Sequence, residues 1–394
     1  MSLVNFRSYE NLSLEFPEGL ILLEGANGQG KSNLLEAAYL LAIAKSNRAS
    51  ADREMVNSHA RTAPHAHAQI MADLILADGD VRLQVDFSAS SASLAPSAES
   101  ESQIAETATF HKSFRVNGVG RRASSVVGIL NAVMFGAEDL ELVYGTPSVR
   151  RRYLDILISQ LDDRYLRSLQ RYQKILAQRN HLLKRIRQRS ASADELHFWD
   201  VELVAEGAFI IEQRANALSS LNAIAAPLHS ELGGIDDRLE LVYRPSLDMP
   251  PEITVDVAAE ILTEGLTEER DRELAQGFTI LGPHRDDVEP QIAGMEAGAY
   301  ASRGQVRTIV LAMKLAEAEH LKIRRGQEPV LLLDDVLSEL DANRRALILD
   351  KASMYQQCFI TTAESDIIGS ERLSHMHRFD VTLGSINPIP IATQ

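Results

Sequence analysis

Gly25-Ala26-Asn27-Gly28-Gln29-Gly30-Lys31-Ser32 fits the pattern G-x-x-x-x-G-K-[ST] of a phosphate-binding loop. Before it stands the apolar run Leu20-Ile21-Leu22-Leu23, long enough for a buried strand. After it, Asn33-Leu34-Leu35-Glu36-Ala37-Ala38-Tyr39-Leu40-Leu41 reads as a helix. Strand, glycine-rich turn and helix are the context the pattern needs. Glycines let the backbone approach an anion and turn N–H groups toward it. The helix start adds unsatisfied N–H donors and the positive end of the dipole. In this setting Gly25, Ala26, Asn27, Gly28, Gln29 and Gly30 cradle the phosphates. Lys31 reaches the β- and γ-phosphates, and the Ser32 hydroxyl takes a Mg²⁺ position.

The chain has 394 residues, 45% hydrophobic and 24% charged, which suits a globular protein of two or three units. Its net charge of −15 argues, as an average, against a nucleic-acid partner. The one cysteine, Cys358, excludes an intramolecular disulfide and a cysteine-built zinc site. No apolar run reaches membrane-spanning length, and the first residues lack a signal-peptide stretch, so a cytoplasmic location without a membrane partner is expected.

Ahead of the phosphate loop, Leu12, Leu14 and Phe16 alternate with Asn11, Ser13 and Glu15, as in a half-buried strand. Lys45-Ser46-Asn47-Arg48, past the loop's helix, either compensates the helix dipole or contacts nucleotide or DNA. Residues 69–77 and 80–87 read as strands joined at Asp78-Gly79, and strand pattern returns at 109–116 before Asn117-Gly118. The Ser/Ala/Glu-rich stretch 88–109 lacks apolar content and reads as a disordered insertion. These strands place antiparallel sheet beside the phosphate-loop strand.

Residues 150–189 contain no Gly or Pro and carry a helical apolar period; as one helix they would run about 60 Å. A second helix is expected from His197 to about Leu221, making an antiparallel hairpin with the first. Residues 150–189 hold 12 Lys+Arg against 3 Asp, while the rest of the chain holds 28 against 52 acids. A basic arm on an acidic body is an electrostatic footprint for a phosphate backbone. Arg179, Lys184, Arg185 and Arg187 are its candidate DNA contacts. The plain alternatives are a solvated face and, for Arg150-Arg151-Arg152, pairing with acids inside the protein. Leu239–Tyr243 and Phe278–Leu281 read as strands. Gly282-Pro283-His284-Arg285-Asp286-Asp287 reads as a metal or phosphate cluster or, more simply, as a turn with a salt-bridged arginine.

Val330-Leu331-Leu332-Leu333-Asp334-Asp335 is an apolar strand ending in two carboxylates, the Walker B pattern. Asp334 would hold Mg²⁺, directly or through water, and Asp335 would orient or deprotonate an attacking water. Together with Lys31, Asp335 is the candidate catalytic residue. Residues 358–362 form a last strand. Ser302 and Gln305 have the spacing of a capping box at a helix start, and Gly304 permits close backbone approach; taken alone, this is a helix cap.

The order of these motifs resembles an ABC-type ATPase, in which the serine-glycine segment of one subunit closes on the γ-phosphate held by another. The 271 residues between Lys31 and Ser302, with a helical insertion between, resemble the SMC-like branch more than transporters. Thr361-Thr362 stand where transporters carry a histidine.

Further segments narrow the resemblance: Asn5-Phe6-Arg7-Ser8-Tyr9, Glu24 to Ala37, Glu138-Asp139-Leu140-Glu141-Leu142-Val143, Arg150-Arg151-Arg152-Tyr153-Leu154-Asp155, the 282–287 cluster and Ala301-Ser302-Arg303-Gly304-Gln305-Val306-Arg307. In these the chain resembles the bacterial RecF family over nearly its whole length. It departs at the 88–109 insertion and at Met1, a few residues short of the family's usual first strand.

The resemblance implies an α/β ABC-type ATPase lobe with an inserted α-helical lobe. The expected division is residues 1–145, the inserted 146–276, and 277–394 carrying signature, Walker B and D-loop. It implies ATP and Mg²⁺ as cofactors and Ser302, Gly304 and Gln305 acting across an ATP-dependent head-to-tail homodimer. It implies DNA as ligand, slow DNA-stimulated hydrolysis, and work with RecR and RecO to load RecA in DNA repair and replication. Alternatives are a structural SMC-like chromosome protein, for which the insertion is short, the ATPase subunit of a transporter, which needs a membrane partner, and a nucleotide-gated DNA-binding module without useful hydrolysis.

Overall fold

Strands that are apolar along their whole length are buried on both faces, and in this protein they are parallel. The computed structural model describes residues 1–62, 66–89, 109–233 and 238–390. Most of the 88–109 stretch lies outside the described residues. The described chain groups into two compact units, one of Met1–Ala137 with Leu321–Gln394, the other of Glu138–His320.

In the first unit, the phosphate-loop strand β3 (Gly19–Glu24) lies inside a six-stranded sheet. It is flanked by β13 (Gln357–Thr362) and β14 (His377–Thr382), both parallel to it. Outward from β13 follow β12 (Val330–Asp334) and β8 (Ala132–Phe135), again parallel. An antiparallel strand, β15 (Ser385–Pro388), closes the other edge. Ile21, Leu22, Leu23, Leu331, Leu332, Cys358 and Ile360 are all fully buried, as a two-sided core sheet requires. The expected last strand at 358–362 is therefore followed by two more, β14 and β15.

The antiparallel strands form a separate sheet of the same unit, in the order β2-β1-β4-β5-β6-β7. Its members are β1 (Ser2–Phe6), β2 (Tyr9–Ser13), β4 (His67–Leu74), β5 (Val81–Ala89), β6 (Phe110–Val116) and β7 (Val119–Arg121). Alternating burial along β4 and β5 marks one covered and one open face. The Asp78-Gly79 hairpin is present, with Gly79 in the left-handed region at φ 117°. Helix α1 (Lys31–Ile43) leaves the phosphate loop.

The second unit is mostly helical. The expected continuous helix of residues 150–189 is broken into α2 (Pro147–Leu161) and α3 (Asp163–Arg187). Asp162 is the cause: its backbone is extended, and its carboxylate accepts the Arg164 N–H at 2.7 Å, an N-cap in mid-run. Helix α4 (Leu196–Gly233) runs antiparallel to α3 and well beyond Leu221. Its buried face continues through Leu221, Ala225, His229 and Leu232, while Pro227 lies on the exposed side. Ser192 and Glu195 build a capping box just before it.

A three-stranded antiparallel sheet, β11-β10-β9, follows from β9 (Leu239–Arg244), β10 (Asp287–Ile292) and β11 (Met295–Glu296). Helices α5 (Val255–Glu268) and α6 (Arg270–Gln276) lie between β9 and β10 in sequence. Phe278–Leu281 is not a strand. Side chains satisfy its backbone: Asn180 accepts the Thr279 N–H at 2.7 Å and Glu273 accepts the Ile280 N–H at 2.9 Å. Residues 277–320, expected with the C-terminal ATPase half, group here because β10 pairs with β9 along six residues. Helix α7 (Arg303–Arg325) begins at the serine-glycine segment, and α8 (Ala342–Ala352) lies between β12 and β13 in the first unit.

Candidate functional site

Two glycines of the phosphate loop are dictated by their neighbours. Gly25 has φ 150°, and a Cβ there would lie 2.3 Å from the Val381 carbonyl oxygen. Gly30 has φ 115°, and a Cβ there would lie 2.6 Å from Ser8 Oγ. Any side chain would push the loop off its support. Lys31 is only 7% exposed. Its Nζ folds back onto the Gly25 and Ala26 carbonyls at 2.5 and 2.9 Å. Burial lowers its pKa, against the opposing pull of Asp335 and Asp334.

One carboxylate oxygen gathers the far side of the loop. Asp334 Oδ1 accepts Ser32 Oγ at 2.7 Å and Thr361 Oγ1 at 2.8 Å, and Thr361 Oγ1 accepts the Asp335 N–H at 2.9 Å. The parallel register that sets Asp334 opposite Thr361 makes this possible. Asp335 stands in the left-handed region at φ 55°, just past the strand end. Ser32 and Asp334 offer the hard oxygen donors magnesium prefers, beside a lysine whose ammonium is already inside the loop. The residues present therefore fit a magnesium nucleotide. Thr361 carries no site motif of its own in the last strand; the register that sets it opposite Asp334 is the signal that identifies it.

The open pocket at the loop is lined by Asn27, Gly28, Gly30, Lys31, Ser32, Asn33, Arg48, Asp335 and Thr361. Arg48 thus belongs to the phosphate-loop pocket, which favours a contact role over dipole compensation. Its segment is anchored from beneath. Ser46 Oγ accepts the Arg48 and Ala49 N–H groups and donates to buried Glu36, which Arg7 grips with a bidentate fork. Of the expected cradle, Gly25 and Ala26 hold the lysine. The Gln29 side chain accepts the Leu383 N–H at 2.7 Å, which leaves its backbone N–H as the group it can offer to a phosphate.

In the second unit the Ser302–Gln305 capping box is formed. The Ser302 N–H donates to Gln305 Oε1 at 2.9 Å and the Gln305 N–H to Ser302 Oγ at 3.3 Å. Ser302 and Gly304 are exposed, and a Cβ at Gly304 would meet nothing within 4 Å.

The structure removes Arg179 from the candidate DNA contacts. It is 1% exposed. Its guanidinium binds Asp200 at 2.8 Å, Glu273 at 2.6 Å and Thr279 Oγ1 at 2.7 Å. Burial works to lower its pKa, but Glu273 and Asp200 outweigh it and the net shift is upward. Lys184, Arg185 and Arg187 are exposed, with Arg185 donating to the Ser190 carbonyl and Arg187 to that of Gln276.

The 282–287 cluster is structural. Asp287 takes a fork from Arg150, Asp286 accepts from Tyr243 and the Ser246 N–H, and His284 Nδ1 sits 2.7 Å from the Tyr172 hydroxyl. Among the described residues no group of His, Cys, Asp or Glu is arranged to hold a metal by itself. No described helix is long and apolar enough to cross a membrane.

A family model for the RecF/RecN/SMC N terminal domain matches residues 1–379. The DNA replication and repair protein RecF of Roseiflexus castenholzii is 41% identical over 396 residues, covering 98% of each chain. This chain belongs to the RecF family. The RecF of Herpetosiphon aurantiacus is also 41% identical, over 404 residues and 98% of each chain. A solved structure of the recombination mediator protein RecF with ATP, of the RecFOR pathway, matches with a TM-score of 0.85 at 33% identity. That match covers 99% of this chain and 96% of the other. The Smc head domain of Pyrococcus furiosus, at 17% identity and a TM-score of 0.52 over 98% of this chain and 94% of its own, shares the fold. The α/β ATPase architecture expected for the family is the one present.

Proposed function

We propose that this protein is an ATP-dependent DNA-binding protein of recombinational repair and replication restart. The observation that carries the nucleotide half is the meeting of Ser32 and Thr361 on Asp334 Oδ1 beside the inward-folded Lys31. The DNA half rests on the family, whose members are named for DNA replication and repair, and on the exposed basic end of α3.

In this reading Lys31, Ser32 and Asp334 would hold ATP with Mg²⁺, and the bound nucleotide would supply the phosphate charge for a second copy to meet. Lys31 Nζ, now on the Gly25 and Ala26 carbonyls, would turn to phosphate oxygens. Ser302 and Gly304 of a second copy complete the site in a head-to-tail homodimer. The empty space around a Gly304 Cβ supports this role, because the chain's own packing does not demand glycine there. Asp335 orients the attacking water and accepts its proton at a carboxylate oxygen. Its side chain is one methylene shorter than the glutamate common in transporters, which fits slow, DNA-stimulated turnover. Dimerisation brings two basic arms to one duplex or single/double-strand junction. RecR and RecO are the expected partners in loading RecA at gaps, following the RecFOR context of the solved relative.

The test is dimerisation by light scattering and DNA affinity, each with ATP, ADP and no nucleotide, across duplex, single-stranded and gapped DNA. A dimer and tight DNA binding are expected with ATP alone. Equal affinity in all three nucleotide states would refute the proposal. Phosphate release with and without DNA separates an ATPase from a nucleotide-gated binder.

A further inference from the structure

The phosphate loop is held by a turn from the far end of the chain. β14 and β15 are joined by Leu383 and Gly384 alone, with Thr382 opposite Ser385. Both turn residues have positive φ, 49° and 75°, the conformation of a tight two-residue hairpin. Asn-Gly is the usual choice for such a turn, because a left-handed leucine is strained. The Leu383 side chain is 83% exposed, so packing does not offset that strain.

What the turn does make is a pair of hydrogen bonds to one loop residue. The Leu383 N–H donates to Gln29 Oε1 at 2.7 Å, and the Gly384 N–H donates to the Gln29 carbonyl at 3.1 Å. Gly384 permits this approach because a Cβ there would lie 2.3 Å from the Ser8 carbonyl oxygen. The next loop residue is held from the same side: buried Tyr9 donates its hydroxyl to the Gly30 carbonyl at 2.9 Å, and Asn33 donates to Ser8 Oγ at 3.0 Å. Strain kept at a turn that packs its side chain on nothing points to function, and here the function is at hand.

We propose that the Leu383–Gly384 turn is a clip that sets the phosphate loop, and that Gln29 is a positioning residue through which the turn governs nucleotide affinity. Neither turn residue lines the pocket. The proposal rests on the reading that ATP binds at Lys31.

The full-length protein tests it with a fluorescent ATP analogue and, in nucleotide-free protein, amide hydrogen exchange at Leu383 and Gly384. Gln29→Ala removes the acceptor for the Leu383 N–H. It is expected to weaken the analogue about five- to tenfold and to speed exchange at both amides, with thermal unfolding as in wild type. Gly384→Ala, which crowds Ser8, is expected to weaken binding likewise. Leu383→Asn keeps the N–H and suits the left-handed conformation, so its affinity should match wild type.

Lys31→Ala separates the two readings. If it abolishes binding while Gln29→Ala binds as wild type, the clip is refuted and the nucleotide site stands. A loss in Leu383→Asn equal to that in Gln29→Ala also overturns the clip, since the side chain would then be the contact. Wild-type protein that binds no analogue refutes the nucleotide site and the role of Gln29 in affinity with it, while exchange at the two amides still reports whether the turn holds the loop.

Discussion

Replacing Arg179 by methionine should unfold the second unit at a much lower temperature while leaving DNA affinity alone. The guanidinium makes three hydrogen bonds at 2.6–2.8 Å, two of them to carboxylates. Asp200 keeps a second partner in the variant, Arg270 at 2.6 Å. Glu273 does not fare as well: it is fully buried, and only the Ile280 N–H is left to it. Breaking a buried pair by removing one partner costs about 3–5 kcal/mol. At about 2–4 °C per kcal/mol for a unit of this size, the melting temperature should drop by about 6–20 °C. Adding Glu273→Gln removes the stranded charge and should recover part of the loss. Differential scanning calorimetry reads the shift, and urea unfolding followed by circular dichroism gives the free energy. A transition within about 2 °C of wild type, where exposed substitutions fall, would refute the buried placement of Arg179.

Burial pushes the His284 pKa down to about 4, against the opposing bond to the Thr279 carbonyl and with help from Arg285, Arg151 and Arg179. A neutral imidazole in the fold and an ordinary one at 6.5 when unfolded mean full stability above pH 6.5, lost as pH falls toward 4. The loss should be about 2 kcal/mol between pH 7.5 and 5 by urea titration; a difference of that size surviving in His284→Asn would assign it elsewhere. Neutralising Lys184, Arg185 and Arg187 together should lower the slope of log affinity against log salt by about 2–3, and wild-type slope and affinity would clear the arm of DNA contact. Ser302→Arg should bind ATP normally but fail to dimerise with it in light scattering, and an intact dimer would sink the proposed action across subunits.

The nucleotide half of the fold was legible because its signals are local. A four-residue apolar run, glycines at fixed offsets and a lysine-serine pair leave β3, the loop and α1 little choice, and the run ending in Asp334-Asp335 is equally direct. What local signals miss is partnership across the chain. Charge alone could not tell Arg179 from Lys184, because the carboxylate that buries Arg179 lies 94 residues away. The helix break at Asp162 was written in an Asp-Asp pair that composition counts as mere acid. Phe278–Leu281 has strand-like residues, yet Asn180 and Glu273 take the backbone bonds a neighbouring strand would need. Gln29 matched the motif by position, and only the fold could show that its side chain accepts the Leu383 N–H.

The strand order of the central sheet also sets a timetable. β3 ends at Glu24, but its two neighbours begin at Gln357 and His377. At about 5–20 residues per second, a ribosome needs roughly 20–70 s to travel from the phosphate loop to the strands that flank it. The antiparallel sheet, complete by Arg121, can form early in that interval. The loop itself must wait, with an unpaired apolar strand on one side of it and no Leu383–Gly384 turn beneath Gln29. A nascent chain therefore cannot present an assembled phosphate loop until β13, β14 and the turn after it have been made, and a chain truncated before β13 should expose β3 to chaperones and proteases.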